Sequence, residues 1–152
     1  MMSSKPTIAD WGTPTDELDD QYARRMFMGV SESDAIARFA ENPVGRSEDL
    51  LHMPTKVLPF YLNAFAKYLL RLKPPTLDAA DAVSCFISVC EVRASDLRDQ
   101  IQDGLIREAL DRVMTGQDFY DAPEEIYGSF KARVSAVWHL TQHKNEHKND
   151  KK

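Results

Sequence analysis

The chain is poor in residues that punctuate, cross-link or span. Six glycines, eight prolines and two cysteines occur in 152 residues. No apolar run approaches the roughly 18 to 20 residues that cross a bilayer. The opening MMSSKPTIADWG lacks the apolar core of a secretory signal, so a cytoplasmic location is expected. Alternating polar and apolar runs never exceed a few residues, which argues against strands. There is no internal repeat, glycine-rich phosphate loop, HExxH motif or nucleophile elbow, and no persuasive Ser-His-Asp order. These absences lower the expectation of an enzyme, and no catalytic residue, cofactor or metal is predicted.

What is present suits a globular helical protein. Hydrophobic residues make up 43% and charged residues 28%, and the length fits one domain with a real core. The net charge of −5 is unevenly spread. Residues 76–125 hold twelve acids and four arginines, a local balance of −8. Such a field repels phosphate backbones and attracts basic partners, so nucleic-acid binding is disfavoured. Cys85 and Cys90 lie in the apolar stretch SCFISVCEV. Five helical residues apart, they point about 140° from each other, so two buried free thiols are expected.

The spacing predicts an all-α, single-domain bundle of about six or seven helices. Residues 1–12 read as a flexible arm from which Trp11 docks, 13–143 as the helical domain, and 144–152 as a disordered polar tail. Thr13-Pro14 reads as the first helix start, with Asp16 and Glu17 in its first turn and Leu18, Tyr22 and Met26 as its apolar stripe. Ser31 reads as the next cap, with Asp34 three residues on, and Ala35, Ile36 and Phe39 as the buried face. Asn42-Pro43 stops that helix, Val44-Gly45 makes a turn, and Ser47 caps a short helical turn. The next helix starts near Leu58. It presents Val57, Tyr61, Phe65, Tyr68 and Leu72 within about 80°, a stripe wide enough for a central position. Pro74-Pro75 ends it, and Thr76 caps a helix apolar nearly all round. Residues 95–115 change face at Gly104, where a kink or break is expected. Pro123, Glu124 and Glu125 start the last helix, with Ile126, Tyr127, Phe130, Val134, Val137 and Trp138 inward.

Three constellations could carry chemistry. Glu48, Asp49 and His52 form an imperfect ExxxH/DxxH set on a short helix, read mainly as a cap or ion pair because no second such pair completes a di-iron arrangement. His139, His143 and His147 recur every four residues, but opposite the apolar stripe, so they read as solvent-facing. The segment QDFYDAPEEIYGSF, residues 117–130, sets Phe119 and Tyr120 in a connector among Asp118, Asp121, Glu124 and Glu125. Exposed rings among acids would anchor and steer a basic partner, while the plainer alternative is that Phe119 folds back into the core. A similar cluster, Asp16, Glu17, Asp19 and Asp20, lies on the first helix.

Residues 26–69 also resemble small immunity-type proteins, the cytoplasmic antidotes of bacterial polymorphic and contact-delivered toxins. The matching pieces are Phe27 with Gly29, the Ala35/Phe39 helix, Glu48-Asp49-Leu50 with Met53, and Phe60-Tyr61 leading to Tyr68-Leu69. The resemblance covers about a third of the chain and brings no catalytic residues. It implies a non-catalytic binding protein that neutralises a cognate, possibly basic, toxin by direct contact through an acidic surface. Two rivals stay open: a regulatory or scaffolding domain that forms a homodimer through residues 76–116, and a small helical enzyme or metalloprotein using His52 with Glu48 and Asp49.

Overall fold

The computed structural model describes residues 4–72 and 78–150, with side chains of the last helix described through Gln142. The architecture is all-α, and no strand occurs among the described residues. The order is α1 (Ile8–Trp11), α2 (Leu18–Phe27), α3 (Glu32–Glu41), α4 (Pro43–Leu50), α5 (Leu58–Arg71) and α6 (Ala79–Val92). A 3-10 turn (Ala94–Asp96) then leads to α7 (Arg98–Gln102), α8 (Leu105–Met114), α9 (Glu124–Tyr127) and α10 (Phe130–Asp150).

Helix α5 is the axle. Its Leu58, Phe60, Tyr61, Leu62, Ala64, Phe65, Ala66 and Leu69 are buried, which leaves almost no polar face. It packs against α3 on one side and α8 on another, with α4 and α6 also in contact. The central position expected from its wide stripe is therefore observed. The contacts are largely aromatic: Phe39 stacks on Phe65 with centroids 4.5 Å apart, and Phe27 meets Tyr61 at 5.0 Å and Phe39 at 5.4 Å. Each such pair adds about 0.5 to 1.5 kcal/mol beyond its buried area. The Tyr61 hydroxyl donates to the carbonyls of Phe27 (2.7 Å) and Val30 (2.8 Å), tying the end of α2 to the core.

Other elements follow local chemistry. Ser31 accepts from the Asp34 amide and caps α3, as its spacing predicts. Gly104, at φ 114, separates α7 from α8 where the apolar stripe changes face. Helix α6 buries Ala79, Ala82, Val83, Phe86, Ile87 and Cys90, as its all-round apolar character predicts. Cys90 is fully buried and Cys85 only half-buried; both are free, and burial pushes both thiols up. Arg133 of α10 reaches Glu91, Ser84 and Ser88 of α6, clamping the last helix to the core.

Four expectations are corrected. Helix α2 begins at Leu18, not at Thr13-Pro14. The Asp20 carboxylate binds the Thr15 amide and hydroxyl, and Arg24 donates to the carbonyls of Trp11, Gly12 and Thr13. Those bonds offer residues 11–15 an alternative to helix. Second, Leu18 and Tyr22 face solvent, and α2 packs through Ala23 and Phe27. Third, Val44-Gly45 is no turn: Asn42 caps α4 by accepting from the Gly45 amide, Pro43 takes its first position, and Ser47 is internal. Fourth, Glu124 and Glu125 open only the single turn α9; Gly128, at φ 74, ends it, α10 starts at Phe130, and Ile126 is exposed.

Within the stretch read as an arm, Thr7 caps α1 with a capping box, and Trp11 is buried. Helix α10 has bounds that reach into the stretch read as a tail. The expected stop at Pro74-Pro75 and cap at Thr76 lie outside the described residues.

Candidate functional site

The connector between α8 and α10 carries the predicted contact residues. Gly116 follows α8 and lies under the Tyr120 ring: a Cβ there would fall 2.5 Å from Tyr120 Cε2. The missing side chain is what lets Tyr120 fold inward, where it is buried. The plug of the core is thus Tyr120 rather than Phe119, and Phe119 stays 43% exposed. The two rings meet edge to face with centroids 5.0 Å apart, so the buried one steadies the exposed one. The Tyr120 hydroxyl is buried without a hydrogen-bond partner, and burial pushes its pKa up.

Gln117 staples this segment. Its Nε2 donates to the carbonyls of Ala122 (2.6 Å) and Gly128 (3.0 Å), and its Oε1 accepts from the Phe130 amide (2.8 Å). One side chain therefore closes the loop and caps α10. Asp121 adopts φ 53, a left-handed conformation that aspartate tolerates better than most residues. Asp118, Asp121, Glu124 and Glu125 are all exposed and have no ion-pair partner among the described residues. A 270 Å³ groove beside Phe119 is lined by Arg112, Thr115, Gly116 and both rings. Five of the six predicted contact residues are at the surface; Tyr120 is not.

The Glu48, Asp49 and His52 set does not converge. Asp49 points inward and is buried, with Oδ2 3.3 Å from Arg46 Nε. The contact is an ion pair without hydrogen-bond geometry, since neither atom has a hydrogen-bond partner. Burial pushes the Asp49 carboxyl up to about 6, against the pull of Arg46 and His52. Glu48 points to solvent. His52 lies 3.6 Å from Asp19 of α2 instead. No group of three or more His, Cys, Asp or Glu side chains among the described residues is arranged to hold a metal ion. His139 is exposed on α10, and the side chains of His143 and His147 lie outside the described residues.

Sequence reading missed Gln117, whose role depends on three carbonyl and amide groups brought together only by the fold. It also missed the Arg46–Asp49 pair. Their i, i+3 spacing would have signalled it had α4 been started at Pro43. No helix among the described residues is long and apolar enough to cross a membrane. Comparison with known proteins gives no match to a family model, a curated protein or a solved structure.

Proposed function

We propose that the protein is a non-catalytic binding protein of the immunity type, acting in the cytoplasm to neutralise a cognate toxin by direct, stoichiometric contact. The observation that carries this reading is the connector: Phe119 is held outward on a stapled loop among four exposed carboxylates. An aromatic ring supplies contact area at low entropic cost, and unpaired acids steer a basic surface toward it. The local charge of residues 76–125 extends the same field and disfavours nucleic acid as the target. A bound toxin would have its active site or substrate groove covered rather than altered.

The test is co-purification at low salt of the full chain with the product of the neighbouring gene. A single basic partner in equal amount is expected. Phe119→Ser together with Asp121→Lys should release it and restore its toxicity. Failure to recover any partner, or neutralisation that survives both changes, would sink the reading.

A further inference from the structure

A second surface lies on α2. This helix buries Ala23 and Phe27, yet leaves Leu18 80% exposed and Tyr22 45% exposed, one turn apart on the same side. Tyr22 is not loose. The Arg46 guanidinium sits 5.4 Å from its ring centroid, and Arg46 Nη2 donates to its hydroxyl at 3.4 Å. Arg46 is in turn held by Asp49, and both side chains are more than nine-tenths buried.

The brace behind Tyr22 is costly. A buried ion pair with a carboxylate oxygen lacking a hydrogen bond is less stabilising than apolar residues of the same size would be. What it does achieve is to order an aromatic ring that faces water, from behind and before any partner arrives. Pre-ordered aromatic anchors are the residues that dominate binding energies.

The charge around the two anchors states what would cover them. Asp16, Glu17 and Asp19 at the start of α2 and Glu48 of α4 are exposed, with Arg25 the exposed cation of α2. A second copy of the chain, docked about a two-fold axis, would bring Asp16, Glu17 and Asp19 against the same three acids, which costs energy at an interface. A cationic segment would find complementary charge on the rim and apolar contact at the centre.

We propose that the exposed side of α2 is a docking face for a basic segment of a partner protein with an apolar stripe. Leu18 and Tyr22 are its anchors, and Arg46 with Asp49 are positioning residues behind Tyr22. The inference rests on the proposed function only for who the partner is.

The experiment uses the full chain and two synthetic amphipathic helical peptides with the same leucine face, one lysine-rich and one glutamate-rich. Backbone amide shifts and affinity are read by NMR titration. The lysine peptide should bind and shift Leu18 and Tyr22, and the glutamate peptide should not. Leu18→Ser and Tyr22→Ser should each weaken binding about tenfold with unchanged melting temperature, while Leu140→Ser on α10 leaves it unchanged. Asp49→Asn should weaken binding severalfold while raising thermal stability at neutral pH; a merely structural role would move both the same way. The proposal is overturned if the two peptides bind alike, or if Leu18→Ser and Tyr22→Ser bind as the parent does. It is also overturned if shifts gather at Phe119 alone, a result that leaves the proposed function standing. A dimer that Leu18→Ser dissociates would overturn it in favour of self-association.

Discussion

Helices α2 and α5 carry the same kind of sequence signal and meet opposite fates. Each repeats large apolar residues every fourth position: Leu18, Tyr22 and Met26 on one, Tyr61 and Phe65 leading to Leu69 on the other. In α5 the stripe is surrounded, because it is wide and flanked by alanines that let neighbours approach on every side. In α2 the stripe is narrow, and Phe27, one position beyond it, makes the better contact, with both Phe39 and Tyr61. Periodicity therefore identifies an apolar face, and the neighbours decide whether that face goes inward. An apolar stripe left outside is then a statement about binding rather than about folding.

The comparison can be broken most sharply by truncating one ring in α5. Phe65→Ala should cost about 3 to 5 kcal/mol in chemical denaturation, since Phe65 touches Phe39 and Phe86 at full burial. A loss near 1 kcal/mol would mean that α5 is not the axle.

Next in size is the brace behind α2. The folded Asp49 carboxyl, at about 6, stands above its ordinary value of 3.8, so the native state holds an extra proton between those values. Its contribution is full below the unfolded value and is lost as pH rises through the folded one, up to about 3 kcal/mol. Asp49→Asn keeps an acceptor for Arg46 and mimics the neutral form. Stability measured across pH should show the variant ahead at pH 7 and level with the parent near pH 4. A variant behind at pH 7 would mean that attraction to Arg46 outweighs burial.

A pair of hydroxyls sharpens the contrast between satisfied and unsatisfied burial. Tyr61→Phe strips donors from two carbonyls at the end of α2 and should cost about 1 to 3 kcal/mol. Tyr120→Phe removes an unpartnered hydroxyl and should be neutral or stabilising by up to about 1 kcal/mol. Thermal melts of the two variants check both signs. Smallest of all, Leu18→Ser should change stability by no more than about 0.5 kcal/mol, as befits a side chain already in water.

Local signals were legible and long-range ones were not. The Ser31 cap, the Gly104 break and the burial of α5 and α6 rest on a few adjacent residues, and each was readable. Asn42-Pro43 was half read: the restriction that ends α3 also makes Asn42 a cap and Pro43 a first residue for α4. In the connector the acids and the exposed Phe119 were readable from composition. Which of two adjacent rings turns inward was not, because that depends on the open side of Gly116 and on Gln117 reaching residue 130. The face of α2 was misread because nothing in its own sequence tells Phe27 from Tyr22 as the inward ring. That choice is made by Arg46 and Tyr61 on other helices.

The most direct test of the account is the ionic-strength dependence of association between the full chain and the basic partner recovered at low salt. Steering by exposed carboxylates predicts an association rate that falls about tenfold or more from low to high salt, with dissociation little changed. A rate that stays flat across that range, or a partner that binds faster as salt rises, would contradict it.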